Sequence, residues 1–454
     1  MIKKIQNFFQ PDSAIKQEWD KSKIDQVYKK YRWSVFLSTT IGYAIYYICR
    51  LSINVIKKPI IDDGLLTETE LGIIGSALFF SYAAGKLVNG FISDHINIRR
   101  FMATGLFISA LVNLIFGLQS LFFILMILWG INGWFQSIGS TTSVVGLVRW
   151  FSKKERGTYY GFGSAALSLG ELFTFMVTSL IVTAAGWRFG FWSSGIIGFF
   201  GALLILKYFY DSPESKGLMP IFEYKNDYED ILPKNNSTTS LQFGLLKNPA
   251  IWILAISSLF IYIVRYSMNS WGILFLQTQK SYSTLEAGSL ISVSSMFGML
   301  GTISSGLISD KIFKAKRNIP ALIFGITNSL ALTVFLINPK GNWWIDFISM
   351  VFFGLSIGVL VCYLGGLMAI DIAPKKATGA VMGMIGVTSY IGAGIQDIIS
   401  GYLMEHNKIF INGIASYDFS SINIFWIGSS IMSCVLVLLV WNTKPDLPSK
   451  KKSN

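Results

Sequence analysis

Two arginines lie inside long apolar runs of this sequence, where a charged side chain needs a partner. Arg50 lies near the end of the first run and Arg265 inside a later one. A guanidinium group stays protonated even in a membrane, so each arginine costs roughly a few kcal/mol that something must offset. Its planar fork of donors suits a phosphoryl group, which it can bind through paired hydrogen bonds. These residue types predict an anion site. The alternative is that a fixed acid, Glu171 or Asp397, neutralises each arginine, which then serves structure only.

The composition decides what surrounds these arginines. The 454 residues are 52% hydrophobic and only 14% charged, and the mean hydropathy is +0.52. Such a chain is too apolar for an ordinary soluble enzyme and predicts an all-α membrane protein. The net charge of +13 does not indicate nucleic-acid binding, because the cations lie between apolar runs instead of clustering on one solvated face. The three cysteines have no CxxC or CxH spacing, so we expect neither a disulfide framework nor a metal site.

The apolar segments number twelve and fall into two groups of six. Their lengths predict membrane-spanning helices, because only helices satisfy the backbone in lipid over such runs. The predicted organisation is an N-terminal segment 1–32, a six-helix half 33–208, a linker 209–249, a second half 250–441 and a tail 442–454. The predicted segments are 33–56, 71–92, 101–120, 122–148, 158–184, 189–208, 251–276, 285–308, 319–337, 345–370, 379–403 and 422–441.

Positive charge predicts the orientation of these segments. Lysine and arginine concentrate in alternate loops, which the positive-inside rule places in the cytoplasm together with both termini and the linker. No cleavable signal peptide is recognisable, so the first helix is expected to remain. The inner-loop cations are Arg99, Arg100, Lys153, Lys154, Arg156, Lys311, Lys314, Lys316, Arg317, Lys375 and Lys376. The few cations expected in outer loops are Lys57, Lys58, Arg188, Lys280, Lys340 and Lys408.

The two halves also repeat each other in sequence. Tyr47-Ile48-Cys49-Arg50 recurs as Tyr262-Ile263-Val264-Arg265, and Gly90-Phe91-Ile92-Ser93-Asp94 recurs as Gly306-Leu307-Ile308-Ser309-Asp310. The second copy follows the first at the same spacing in both cases, to within a single position along the chain. Internal repeats of this kind are typical of transporters whose binding site lies between the halves. By this symmetry we expect Arg50 and Arg265 to face each other across the central axis.

The second of these repeats resembles a known family signature. Gly-x-x-x-Asp followed by basic residues resembles the loop motif of the major facilitator superfamily, which implies two six-helix halves rocking about a central cavity. In that family such loops latch the inner side of the protein. The resemblance therefore implies inner-gate roles for Asp94, Arg99, Arg100, Asp310 and Arg317.

Nearly the whole chain resembles one branch of that superfamily, the organophosphate:phosphate antiporters, and in particular glycerol-3-phosphate and hexose-phosphate transporters. The resemblance implies that Arg50 and Arg265 bind the phosphate of the substrate and that Lys86 attracts it. The alternatives are that Lys86 pairs with an acid or snorkels toward the inner surface. Tyr47, Tyr262 and Tyr390 are expected to donate hydroxyl groups to the substrate, and the alternative is that they are ordinary core or interfacial tyrosines. The matching runs are Tyr46-Tyr47-x-x-Arg50, Gly133-Trp134-Phe135-Gln136, Lys153-Lys154-Glu155-Arg156-Gly157, Glu223-Tyr224-Lys225-Asn226-Asp227-Tyr228, Arg265-Tyr266 and Ala373-Pro374-Lys375-Lys376.

The chain departs from these relatives at several positions that bear on the substrate. Leu51 replaces a lysine that usually follows the first arginine, and Ser140-Thr141-Thr142-Ser143 replaces a Trp-Pro-Pro-Cys run. Leu167 stands where glycerol-3-phosphate carriers have a histidine, and Ser295 where they have an acid. The substrate therefore does not transfer from the resemblance, and a carrier for a non-phosphate organic anion stays open.

The sequence thus predicts an antiporter that exchanges a small phosphorylated metabolite for inorganic phosphate, in an inner (plasma) membrane. We expect a monomer that contacts lipid, uses no cofactor and is not an enzyme, because no nucleophile with a base and no phosphate-cradling loop is recognisable. A transporter-like sensor of external sugar phosphate is the rival of a different class. Glu171 and Asp397 could couple protons to transport, or simply pair with a cation.

Overall fold

The computed structural model describes residues 7–15, 19–20, 22–227, 247–313, 316–372, 378–411 and 414–441, and in this part twelve long helical segments follow one another. This confirms the predicted twelve-helix fold. The first six are α1 (Ile24–Asp62), α2 (Glu68–His95), α3 (Ile98–Phe116), α4 (Phe122–Trp150), α5 (Lys153–Phe173, extended through Thr174–Thr178 to Ser179–Ala185) and α6 (Trp187–Tyr208). The second six are α7 (Pro249–Gln279), α8 (Thr284–Leu307, extended by Ile308–Ile312), α9 (Asn318–Ile337), α10 (Trp343–Cys362, extended through Tyr363–Leu367 to Met368–Ile372), α11 (Thr378–His406) and α12 (Ser420–Leu439).

The second helix of each half begins with the same local device. The Thr67 hydroxyl caps α2 by accepting from the Glu70 backbone amide, and the Glu70 carboxylate accepts from the Thr67 amide in return. Ser283 and Glu286 form the same capping box at α8. The two caps are separated along the chain by the same spacing as the two copies of the loop motif, so the repeat extends to the helix ends. Reciprocal capping satisfies amides that a helix end otherwise leaves open.

Hydropathy alone identifies ten of these helices as candidate membrane spans within the described residues. The two long helices outside that set are α1 and α11. Both carry buried charge, Arg50 and Lys57 on α1 and Asp397 on α11. Charged side chains lower the mean hydropathy of a helix, so hydropathy alone does not identify α1 and α11.

Two lysines expected in outer loops are buried instead. α1 outlasts its apolar run and reaches Asp62, so Lys57 lies within the helix with a side chain only 1% exposed. Lys280 directly follows α7, donates to the Phe335 carbonyl at 2.6 Å and forms a buried ion pair with Asp346. The loop assignment of Lys57 was wrong, because a helix continues past its apolar residues when its polar ones find partners in the protein. Lys280 lies just outside its helix, as expected, but its ion pair with Asp346 buries it.

In the described part of the chain, the most extensive contacts between the halves are those of α2 with α11, α5 with α8, and α1 with α7. The α2–α11 crossing lies toward the end of the bundle where α1 ends and α2 begins, the predicted outer end. A side chain at Gly72 would collide with the Asp397 carbonyl, and one at Gly401 would collide with the Glu68 carbonyl. Glycine therefore permits backbone contact between the halves at this crossing.

A short hairpin that the sequence analysis did not predict lies at the same end. Strands β1 (Lys408–Ile411) and β2 (Ile414–Tyr417) pair antiparallel between α11 and α12. Lys408 and Tyr417 donate at 2.8 and 2.5 Å to the carboxylate of Glu68, the first residue of α2. The backbone amide of Thr69 donates to Glu405 at 3.0 Å. The predicted outer end is thus joined across the halves by polar contacts.

At the opposite end, the N-terminal segment and the start of the linker pack on the first half. The ring of Tyr28 stacks on that of Tyr224, with centroids 3.9 Å apart, and its hydroxyl donates to the Met219 carbonyl at 2.5 Å. Arg32 pairs with Glu155 at 2.6 Å. The segments predicted as cytoplasmic therefore form part of the folded body where they are described.

Candidate functional site

Arg50 lies on α1, 2% exposed, inside a cage of aromatic rings. The rings come from both halves, since α1 and α2 belong to the first and α7 and α11 to the second. The centre of the guanidinium lies 4.4 Å from the ring centroid of Tyr82, 5.2 Å from Tyr390, 5.4 Å from Tyr47, 5.5 Å from Phe79 and 5.8 Å from Tyr266. Aromatic faces attract a cation and so offset part of its burial cost.

Among the described residues, no carboxylate balances the charge of Arg50. Its Nε and Nη2 atoms have no hydrogen-bond partner among the described residues, and none of the ion pairs formed by these residues includes Arg50. A buried charged donor without an acceptor is expensive, and the cost falls when an anion binds. The alternative that a fixed acid neutralises the arginine therefore does not describe Arg50 in this arrangement.

Unlike Arg50, Arg265 has a carboxylate partner. It forms an ion pair with Glu171 of α5, and the Glu171 oxygen also accepts from Asn269 at 3.2 Å. The pair joins the two halves, because α5 belongs to the first and α7 to the second. The centre of the Arg265 guanidinium lies 5.7 Å from the ring centroid of Tyr266, which Arg50 approaches to 5.8 Å. One tyrosine thus lies near both arginines.

The remaining predicted binding residues lie around the same place. The Lys86 ammonium, on a partly exposed side chain of α2, is 5.8 Å from the ring centroid of Tyr390. Tyr390 in turn lies 5.7 Å from Tyr262, centroid to centroid. We call Arg50, Arg265, Lys86 and the surrounding aromatic residues Tyr47, Phe79, Tyr82, Tyr262, Tyr266 and Tyr390 the central site.

Two members of the cage, Phe79 and Tyr82, were not predicted from the sequence. Both lie on α2, and their spacing from Lys86 could have identified them. Residues 79, 82 and 86 are three and four apart and share one face of a helix. A third tyrosine of the first half, Tyr46, points elsewhere and donates to the Met102 carbonyl at 2.6 Å within the core of that half.

A second buried charge pair lies nearer the predicted outer end. Lys57 of α1 and Asp397 of α11 approach to 3.7 Å, with side chains 1% and 2% exposed. The ammonium lies 3.4 Å from the ring centroid of Trp271, whose indole N–H donates to Asp397 at 2.8 Å. Asp397 was predicted as a coupling group or charge partner, whereas Lys57 was missed. Both predicted acids, Glu171 and Asp397, therefore lie in ion pairs that join the halves.

The predicted inner-gate residues make other contacts than the motif suggested. Arg99 and Arg100 approach Asp12 of the N-terminal segment at 3.6 and 3.0 Å, while the side chain of Asp94 is exposed. Arg317 approaches Asp371 at 3.1 Å. The side chain of Asp310 and those of Lys153, Lys154, Lys375 and Lys376 lie outside the part of the chain that the structure describes.

Asp211 is the acid that the sequence analysis overlooked at this end. It accepts from Arg149 at 2.5 Å and from the backbone amides of Ile98 and Asp12 at 3.0 and 3.1 Å. Burial raises the pKa of this carboxyl, and Arg149 with the two amides opposes that shift. Asp211 follows the last apolar residues of the first half, where no periodic pattern marks it.

The comparisons with known proteins agree with this architecture. Residues 39–396 match the model of the Major Facilitator Superfamily. The chain belongs to this superfamily. The nucleoside transporter NupG has the same fold, with a TM-score of 0.72 at 13% identity over 90% of this chain and 100% of the other.

Sequence relatives place the chain within the superfamily. It is 34% identical to a glycerol-3-phosphate transporter of Bacillus subtilis, over 96% of this chain and 98% of the relative. It is also 34% identical to a probable hexose phosphate transport protein of Chlamydia pneumoniae, over 85% and 88%. The membrane sensor protein UhpC of Salmonella typhimurium is 27% identical over 83% and 86%. The organophosphate:phosphate antiporter resemblance is confirmed, and the chain is a multi-pass membrane transporter of this family, not an enzyme.

Proposed function

We propose that this transporter exchanges a small phosphorylated metabolite, such as a sugar phosphate or glycerol-3-phosphate, for inorganic phosphate. The observation that carries the proposal is Arg50, a fully caged guanidinium without a carboxylate partner among the described residues. Its planar donors match phosphate oxygens geometrically. The named substrates of the two transport relatives support phosphate as the group that is bound.

The charge balance of the interior favours exchange over one-way movement. Arg50, Arg265, Lys57 and Lys86 supply four positive charges, while Glu171 and Asp397 supply two negative ones. A formal excess of two positive charges is costly in an empty site and is balanced by a phosphate or phosphomonoester dianion. The carrier therefore passes through its closed state more easily with an anion bound than when empty. Each anion that leaves is then replaced by another.

Alternating access follows from the placement of the cations. Arg50 belongs to the first half and Arg265 to the second, so an anion bound by both draws the halves together around it. The ion pair between Arg265 and Glu171 holds the halves in its absence. In this mechanism the anion competes with Glu171 for Arg265 and so loosens one link as it forms another.

We also propose a membrane location, an orientation and an oligomeric state for the protein. Its relatives with named transport functions are bacterial, which supports an inner membrane, and the alternating basic loops support cytoplasmic termini. We propose that the carrier works as a monomer in contact with lipid, because the central site is completed by residues of one chain.

Counterflow in proteoliposomes tests the exchange. Vesicles loaded with labelled phosphate are diluted into glycerol, hexose or three-carbon phosphates, and loss of label is followed. We expect wild-type exchange with at least one of them, and a loss of about 100-fold in Arg50→Lys, because a lysine lacks the planar fork. Arg188→Lys is the matched control, since Arg188 lies against Trp187 at the predicted outer end.

The result also separates the rivals. A wild-type protein that binds an organophosphate but exchanges none with phosphate would contradict the proposal and favour a sensor, the role named for the UhpC relative. Exchange restricted to organic anions without a phosphoryl group would favour the third possibility. Full exchange by Arg50→Lys would show that the caged guanidinium does not bind the substrate.

A further inference from the structure

The Lys57–Asp397 pair is unevenly satisfied. The carboxylate accepts a hydrogen bond from the Trp271 indole at 2.8 Å, whereas the Lys57 ammonium has no hydrogen-bond acceptor among the described residues. The ammonium instead lies over the Trp271 ring, 3.4 Å from its centroid, and 3.7 Å from the nearer Asp397 oxygen. The acid is therefore tied to its own half, while the lysine is held by charge and by the indole face alone.

The pair also spans the junction that must part if the predicted outer end is to open. Lys57 belongs to the first half, whereas Asp397 and Trp271 both belong to the second. The crossing beside it is so close that a side chain at Gly75 would collide with the Asp397 carboxylate. Separation of α2 from α11 leaves Asp397 with Trp271 but leaves Lys57 without a counter-charge.

Lys57 then occupies an informative position relative to Arg50. The two residues are 57 − 50 = 7 positions apart on α1, which places them on one face about 10 Å apart along the axis. The direction from Arg50 to Lys57 is toward the predicted outer end. The neighbour of Arg50, Leu51, supplies no charge to the central site.

We propose that Lys57 is an anion-binding residue, and that Asp397 neutralises it while the predicted outer end is closed. When that end opens, Lys57 binds the phosphoryl group of an incoming anion before it reaches Arg50. The anion replaces Asp397 as the counter-charge, so opening without an anion leaves a buried cation uncompensated. The inference rests on the proposed phosphate exchange, and it assigns to Lys57 the role of a second cation on α1.

A charge-pair cycle tests the proposal against a purely structural ion pair. We compare wild type, Lys57→Gln, Asp397→Asn and the double variant by the KM for phosphate exchange, measured from each side of sealed membrane vesicles. If Lys57 binds the anion, Lys57→Gln and the double variant both raise the KM on the outer side about tenfold, the effect of one lost charged contact. On the inner side the KM of each variant stays within about twofold of the wild-type value. Asp397→Asn alone leaves the outer KM at the wild-type value.

The neighbouring lysine provides the matched control. Lys58 is 33% exposed and pairs with Asp62 at 2.5 Å, so Lys58→Gln is expected to leave both KM values unchanged. A double variant that regains the wild-type outer KM would overturn the proposal, because a structural pair needs only that both charges leave together. A wild-type carrier that exchanges no phosphate would overturn the proposed function itself and this inference with it. Should Lys57→Gln fail to fold, the double variant carries the decision.

Discussion

Substitution of Glu171 by glutamine tests whether the acid competes with the substrate for Arg265. Glu171 and Arg265 have side chains 5% and 12% exposed, and Asn269 donates to the same Glu171 oxygen. Glu171→Gln keeps the shape and the acceptor for Asn269 but removes the charge. Arg265 then joins Arg50 as a buried cation without a counter-ion.

The magnitude follows from the burial of the pair. Removing one partner of a buried ion pair costs about 3–5 kcal/mol, and the small exposure of Arg265 favours the lower end, ~3 kcal/mol. A ligand at 100 times its Kd stabilises the folded state by ~2.7 kcal/mol. We therefore expect Glu171→Gln to be destabilised when empty and to recover most of that loss in saturating phosphate.

Phosphate affinity should rise in the same variant. In the wild type the anion meets a carboxylate beside its second arginine, and two unit charges 4 Å apart interact by ~4 kcal/mol at an effective dielectric constant of about 20. A tenfold fall in Kd requires only ~1.4 kcal/mol of that repulsion. The exchange rate should fall, because the tighter anion is released more slowly and the empty carrier is poorly compensated.

Thermal unfolding of purified protein with and without phosphate measures the first effect, and titration calorimetry measures the second. Asp62→Asn serves as the control, since this carboxylate is 56% exposed and lies at the end of α1. The reasoning is refuted if Glu171→Gln unfolds at a lower temperature and phosphate neither restores it nor binds more tightly. Arg265 would then be a structural partner of Glu171 and not a substrate ligand.

Two further predictions concern the α2–α11 crossing at Gly75 and the buried Lys280–Asp346 ion pair of the second half. Gly75→Ala should reduce the counterflow exchange rate about tenfold, because the added methyl group would collide with the Asp397 carboxylate and prevent the predicted outer end from closing. Gly428→Ala is the control and should exchange at the wild-type rate, because a methyl group at Gly428 meets no atom within 4 Å. Lys280→Met should lower the free energy of unfolding by ~3–5 kcal/mol, because it leaves Asp346 buried without a counter-charge. Adding Asp346→Leu to this variant should recover most of the lost stability in thermal unfolding. Equal exchange in both glycine variants, or a double variant less stable than Lys280→Met, would contradict the respective argument.

Sequence alone was sufficient for the membrane class, the twelve helices and the two halves. Helix length and hydropathy are properties of a continuous run of chain, so they can be read without knowing what packs against what. The constant spacing between the repeated motifs likewise depends only on order along the chain. The placement of Arg50, Arg265, Lys86 and the predicted tyrosines near one another followed from this symmetry and from the family resemblance, and their roles stay predictions.

Only the tertiary structure decided how each charge is partnered. The same sequence logic treated Arg50 and Arg265 alike, yet one lies in an aromatic cage and the other pairs with Glu171 across the halves. Lys57 was assigned to a loop because its partner Asp397 lies in the other half of the chain, far away in sequence. Burial and pairing depend on which distant helices meet, and no local pattern encodes that meeting. The linear sequence therefore determined that this membrane protein holds buried cations, whereas the packing of its halves decided which of them remain open to an anion.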